Sequence, residues 1–158
     1  MNEKAVWETG NINEFENAAC ELFEILKQLN GSTVVVGLMG DLGAGKTTLS
    51  KIIAKQMGVQ NDVVSPTFNI MKIYKTDNDR FETFVHIDAY RIDTPDEVES
   101  LGKNLNLHSN TGGYFTMPNT LVFIEWPQNI KPILPINTNY VEIGHIFNDH
   151  EKRRISLY

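Results

Sequence analysis

Gly40-Asp41-Leu42-Gly43-Ala44-Gly45-Lys46-Thr47 is the stretch from which the rest of this sequence can be read. Its spacing, G-x-x-x-x-G-K-[ST], is that of a loop that wraps a polyphosphate. The glycines let successive backbone N–H groups turn toward the anion, and a helix that follows directs its positive dipole end and unpaired donors at the same point. Lys46 adds a mobile positive charge for the β and γ phosphates, and the Thr47 hydroxyl is a ligand for Mg²⁺. The pattern carries this meaning only between a strand and a helix, and the flanks predict both. Thr33-Val-Val-Val-Gly-Leu-Met39 is a β-branched run bounded by glycine, as in a strand buried on both faces. From Lys46 onward, Leu49, Ile52, Ile53 and Met57 have helical spacing, and Gly58 marks the stop.

Upstream, Phe15, Ala18, Ala19, Leu22, Ile25, Leu26 and Leu29 predict a helix over 13–30 with one buried face, capped by Asn13 and closed by Gly31. Downstream, Asn69 to Tyr74 and Phe81 to Ile87 are strand-like around Thr76-Asp77-Asn78-Asp79, which predicts a hairpin and hence a mixed sheet. Thr94-Pro95-Asp96-Glu97 supplies an N-cap, a proline at the first helical position and a glutamate three residues past the cap, so a helix runs from Pro95 to about Leu101. Lys103 to Thr120 is rich in Asn, Gly, Ser and Thr without a period, and reads as a mobile surface loop. Leu121-Val-Phe-Ile-Glu125 is a second buried strand, and Tyr140 to Phe147 with Arg153 to Leu157 predicts a closing hairpin around Asn148 to Glu151. No repeat or linker divides residues 1–158, so one domain is expected.

Composition narrows the function classes. Hydrophobic residues are 41% and charged residues 22%, enough apolar material for a packed core and too much for wholesale disorder. The N-terminal residues show no basic segment ahead of a long apolar run, and no window approaches a membrane span, so a cytoplasmic protein is expected. Cys20 has no partner for an internal disulfide and reads as a helical neighbour of the core. The net charge is −6 and the 14 basic residues are scattered, which argues against autonomous binding to naked nucleic acid, where phosphate neutralisation dominates. A protein partner or a small anion held by local geometry fits better.

A phosphate loop supplies one protein ligand to its metal and needs an acid at the end of a neighbouring buried strand. Phe84-Val-His-Ile-Asp88 and Leu121-Val-Phe-Ile-Glu125 each deliver a carboxylate at the carboxyl edge of the sheet, where α/β folds bind ligands. One of Asp88 and Glu125 holds Mg²⁺ while the other orients or deprotonates the attacking water. His86 reads as a packed or hydrogen-bonded strand histidine. Trp126, beside Glu125, is either edge packing or a lid over the nucleotide. In Ser65-Pro66-Thr67-Phe68, Thr67 either reaches the γ phosphate or its metal, or closes a proline-stiffened turn. Arg91 either pairs with a nearby acid or contacts phosphate or a partner.

Together, Gly-Asp-Leu-Gly-Ala-Gly-Lys-Thr-Thr-Leu (40–49), Ser-Pro-Thr-Phe (65–68), His-x-Asp-x-Tyr-Arg (86–91) and Ile-Glu-Trp (124–126) resemble, in order, the TsaE (YjeE) family of small bacterial ATPases. The resemblance implies a three-layer α/β P-loop NTPase fold with a mixed, mostly parallel central sheet and β-hairpin additions. It implies ATP and Mg²⁺ as cofactors, with Gly40, Asp41, Leu42, Gly43, Ala44, Gly45, Lys46, Thr47, Thr48, Thr67 and Trp126 around the nucleotide. Lys46, Asp88 and Glu125 would be catalytic, and Thr47, Asp88 and Glu125 would serve the metal. The family acts in threonylcarbamoyl modification of tRNA adenosine with two partner proteins, TsaB and TsaD, and its ATP hydrolysis is thought to reset that pair. Where the family often has an acid and an arginine after Ile-Glu-Trp-Pro, this chain has Gln128-Asn129. From the residues alone, a P-loop small-molecule kinase and a nucleotide-gated binding module stay open. A GTPase is disfavoured, since no Asn-Lys-x-Asp occurs.

Overall fold

The protein is described from a computed structural model that covers residues 2–66, 69–104, 106–107, 113–146 and 149–158. Its elements, in chain order, are β1 (Ala5–Thr9), α1 (Ile12–Gln28), β2 (Thr33–Met39), α2 (Lys46–Gln56), β3 (Met71–Lys75), β4 (Thr83–Asp88), α3 (Pro95–Asn104), β5 (Thr120–Glu125), a 3₁₀ segment (Pro127–Ile133), β6 (Asn139–Ile146) and β7 (Asp149–Leu157). The strands form one seven-stranded sheet in the order β1-β7-β6-β2-β5-β4-β3. The central strands β6, β2, β5 and β4 run parallel to one another. β3 is antiparallel to β4, β7 to β6 and β1 to β7, so the sheet is mixed with antiparallel additions at both edges.

Alternation along the strands sorts the core into two layers. Val34, Val36, Leu38, Phe84, Leu121 and Phe123 face α1 and α2, while Val35, Val85, Ile87, Val122 and Ile124 pack with Val98 and Leu101 of α3 and with Ile130 of the 3₁₀ segment. Helices on both faces explain why β2, β4 and β5 read as continuous apolar runs. Because Asp88 and Glu125 continue the alternation of Phe84 and Phe123, both acids emerge on the α2 side, in register with each other.

Local chemistry sets the helix ends. The α1 cap is Asn11, two residues before the expected Asn13. The Asn11 side chain accepts the Glu14 N–H at 3.0 Å, while Glu14 Oε2 accepts the Gly10 N–H at 2.6 Å. These two bonds satisfy the backbone donors of Glu14 and Gly10 at the start of the helix. Phe15, Ala18, Ala19, Leu22, Phe23 and Leu26 form the buried stripe of α1. The helix stops at Gln28, and carbonyls around its end are gathered by Arg80, whose guanidinium donates to Lys27 O, Leu29 O, Gly31 O and Ser32 O. At α3, Glu97 accepts the N–H groups of Asp93 and Thr94, each at 3.0 Å, as the Thr94/Glu97 spacing predicts.

The structure departs from the sequence reading in particular places. β1 was not foreseen: five residues are too few for alternation to stand out, and the strand exists because it pairs with β7. α3 runs three residues past Leu101, and β7 already begins at Asp149, inside the stretch expected to turn. The segment Lys103–Thr120 is less of a free loop than expected, for Leu107 and Phe115 are buried in the core against α3 and β5. Among the described residues, no helix is long and apolar enough to cross a membrane.

Candidate functional site

The glycine-rich loop joins the end of β2 to α2 under tight steric control. Gly40 has φ +138, and a Cβ placed there would lie 2.2 Å from the carbonyl oxygen of Ile143 on β6, so only glycine lets the loop pass this strand. At Gly43, with φ +78, a Cβ would meet nothing within 4 Å, because the loop there borders open space. That space consists of a cavity on either side. The larger, about 460 Å³, is walled by Gly43 to Gly45 with Thr9 at the end of β1, Asn11 and Phe15 at the start of α1, and Glu151 and Arg153 of β7. The smaller, about 280 Å³, is lined by Lys46, Thr47, Asp88, Glu125 and Trp126, with Ser65 and Tyr90 at its edge.

Lys46 is 4% exposed. Its ammonium donates to Gly40 O at 2.7 Å and Asp41 O at 2.8 Å, and stands 4.1 Å from the centroid of the Trp126 ring. Burial pushes its pKa below the ordinary 10.5, opposed by the carboxylates of Glu125, Asp88 and Asp41. The lysine is thus folded onto its own loop, with the aromatic face as a further partner for the charge. Trp126 adopts φ +59, left-handed backbone that a bulky residue rarely takes, and its ring meets that of Tyr90 at 5.1 Å. Strain of this kind, of order 1–3 kcal/mol, persists where surroundings over-determine the conformation. Here the Asn129 amide donates to Ala89 O at 3.0 Å and the Ala89 N–H to Glu125 O at 3.0 Å, which pins the turn after β5 to the end of β4. Gln128-Asn129, where the chain departs from its expected pattern, therefore contains a structural tie.

The two acids are held differently. Asp88 accepts the Tyr90 N–H at 3.0 Å and the Ser65 hydroxyl at 3.2 Å. Glu125 Oε1 accepts the Thr47 hydroxyl at 2.8 Å and lies 2.8 Å from His86 Nε2. Both carboxylates are at most 5% exposed. Hard oxygen donors from Thr47, Asp88 and Glu125 on one small cavity are suited to Mg²⁺, which takes one or two carboxylates and completes its shell with phosphate oxygens and water. Among the described residues, no group of three or more His, Cys, Asp and Glu could hold a metal ion by itself, and that ligand preference does not call for one. With its hydroxyl hydrogen committed to Glu125, Thr47 Oγ1 keeps lone pairs for a cation.

The structure thus gathers Gly43, Gly45, Lys46, Thr47, Thr48, Asp88, Glu125 and Trp126 around one cavity, with Leu42 at its rim. Thr67 lies outside the described residues, although its neighbour Ser65 reaches Asp88. Sequence reasoning missed Ser65, Tyr90 and the Glu125 contact of His86. It also missed Arg153, whose Nε donates to Ala44 O at 3.1 Å from the far hairpin. The alternation that places His86 and Asp88 on one strand face was available as a signal; the reach of Arg153 depends on strand pairing across the molecule and was not.

Comparisons with known proteins identify the family and agree with the fold. Residues 10–155 match the family described as "Threonylcarbamoyl adenosine biosynthesis protein TsaE". A protein of Rickettsia typhi named tRNA threonylcarbamoyladenosine biosynthesis protein TsaE is 38% identical over 124 residues, 78% of this chain and 76% of its own length. The protein of the same name from Aquifex aeolicus is 33% identical over 149 residues, 93% of each chain. The crystal structure of YdiB from Bacillus subtilis superposes with a TM-score of 0.67 at 25% identity, covering 99% of this chain and 86% of that one. Matched by the family over residues 10–155 and by a relative over 93% of its length, the chain belongs to the TsaE family.

Proposed function

We propose that this protein binds ATP with Mg²⁺ across the glycine-rich loop and hydrolyses it to ADP and phosphate. We further propose that this cycle serves threonylcarbamoyl modification of tRNA adenosine by resetting a complex of TsaB-like and TsaD-like proteins. The observation that carries the reading is the convergence of Lys46, Thr47, Asp88 and Glu125 on one cavity beside the loop. The nucleoside occupies the larger cavity between α1 and β7, and the phosphates cross the loop toward the smaller one. Loop N–H groups and Lys46 hold the phosphates. Thr47 and one of the two acids would hold Mg²⁺, which would supply charge neutralisation at the phosphates. Asp88 and Glu125 divide between them the metal and the orientation and deprotonation of the attacking water. Trp126 closes the mouth of the cavity against bulk water.

The net charge of −6 suits a protein partner better than bare RNA, and we take the cytoplasm as the compartment. A metabolite kinase fits less well, because Arg80 is committed to the end of α1 and Arg154 to Glu3 and Glu8, away from the cavity. The test is phosphate release from ATP with and without the partner pair. We expect slow hydrolysis alone and stimulation by the partners, with Lys46→Ala and Glu125→Ala each lowering the stimulated rate by about 10²-fold or more, the usual effect of removing a transition-state electrostatic group. Unchanged stimulated release in either variant refutes the mechanism, and a phosphorylated metabolite in place of free phosphate points to the kinase.

A further inference from the structure

His86 is fully buried on β4, and the phosphate-binding reading makes no use of it. Its ring stacks on Phe84 with centroids 6.0 Å apart, so a purely apolar aromatic side chain would suit the packing. A histidine here carries a penalty that such a residue would not: Nδ1 is buried without a hydrogen-bond partner, a condition shared among the described residues only with Tyr74 Oη. An unpartnered buried polar atom is expensive to keep. What the imidazole adds in return is one contact, Nε2 to Glu125 Oε1 at 2.8 Å. That oxygen already accepts the Thr47 hydroxyl at 2.8 Å, so two groups on different elements, β4 and α2, meet on one carboxylate oxygen of β5.

We propose that His86 is a positioning residue for nucleotide hydrolysis: its Nε2–H donates to Glu125 Oε1, fixes the rotation of the carboxylate and reserves Oε2 for the cavity beside the phosphate loop. The proposal rests on the reading of Glu125 as a functional acid. An acceptor at Glu125 requires the ring proton to sit on Nε2, which leaves Nδ1 as a bare lone pair in apolar surroundings, the less costly way to bury an unpartnered ring nitrogen. Groups that orient a first-layer ligand in this way are typically worth 10–100-fold in metal affinity or activity when removed.

Two substitutions separate the donor from the shape. His86→Phe keeps an aromatic ring against Phe84 and removes the donor, while His86→Gln keeps an N–H at comparable reach. We expect His86→Phe to lower kcat for ATP hydrolysis by about 10–100-fold, with KM and magnesium-free ADP affinity by calorimetry within about twofold of the unaltered protein. His86→Gln should recover most of the lost kcat. Long-range proton–nitrogen NMR of the nucleotide-free, full-length chain gives a readout independent of turnover: His86 should be the Nε2–H tautomer, and that signal should shift in Glu125→Ala. A wild-type rate in His86→Phe, no advantage of Gln over Phe, or a histidine protonated on Nδ1 alone would each overturn the proposal. If the unaltered protein hydrolyses no ATP, the hydrolytic reading fails and this role falls with it. Loss in Lys46→Ala and Glu125→Ala without loss in His86→Phe sinks the His86 role alone.

Discussion

Adding one methyl group at Gly40 and one at Gly43 should damage this protein in opposite ways. At Gly40 the new Cβ would sit 2.2 Å from Ile143 O, about 1 Å inside an ordinary carbon–oxygen contact of roughly 3.3 Å. Both partners are backbone, so no side chain can swing aside. Separating β6 from the loop costs about 1–3 kcal/mol as core overpacking does, and holding alanine at φ +138 adds about 1–3 kcal/mol. The sum, about 2–6 kcal/mol, is a large part of the 5–15 kcal/mol typical of a domain and corresponds to a Tm lower by roughly 5–20 °C. At Gly43 the clash is absent and only the left-handed backbone matters, about 1–2 kcal/mol. That methyl group, however, would project where the loop borders both cavities. Urea unfolding and calorimetric titration with ADP on both variants provide the assay. Gly40→Ala should lose stability first, whereas Gly43→Ala should stay folded and lose nucleotide affinity. Equal stability of the two variants would show that the approach of Gly40 to β6 does not constrain the loop.

Two further outcomes follow from contacts away from the loop's glycines. In a Trp7→Phe background the remaining tryptophan, Trp126, has the Lys46 ammonium 4.1 Å from its ring centroid, so recruitment of Lys46 to phosphates should change Trp126 emission on ADP binding. The change should vanish in Lys46→Ala, and its persistence there would separate the fluorescence from the lysine. Arg80→Ala should destabilise the fold by about 1.5–3 kcal/mol in urea unfolding, since a charged donor to the carbonyls around the end of α1 is lost. Arg80→Lys should recover little, because a point charge cannot span those carbonyls as the guanidinium fork does, and a full rescue by lysine would contradict that account.

The legible parts of the fold were those written in short-range periodicity. β2, β4 and β5 announced themselves as apolar runs because helices cover both of their faces, and α1 did so through one stripe of buried positions from Phe15 to Leu26. The elements that escaped depend on distant partners. β1 is a strand by virtue of Leu157, Ile155 and their neighbours on β7, more than a hundred residues away. Leu107 and Phe115 looked like isolated apolar residues in a polar loop, yet the α3 side of the sheet offers them a core. The cap at Asn11 was legible in principle through the Asn-x-x-Glu spacing, but the adjacent Asn13 competed for the same role.

The site divides along the same physical line. A strand-end acid can be recognised because an apolar run followed by a carboxylate states both its place at the sheet edge and its chemistry, and Asp88 and Glu125 are in register as that reasoning requires. What such a pattern cannot state is how the two acids differ, since that is decided by what each one touches. Asp88 is held by a backbone N–H and a serine hydroxyl near solvent-facing Tyr90, whereas Glu125 is held on one oxygen by Thr47 and His86 from separate elements. Both of these contacts to Glu125 fall on Oε1, whereas those to Asp88 are divided between its two oxygens. A carboxylate held on one oxygen keeps the other for a water molecule or a metal ion, and at Glu125 that arrangement involves a histidine which the sequence marked as packed or hydrogen-bonded without naming its partner.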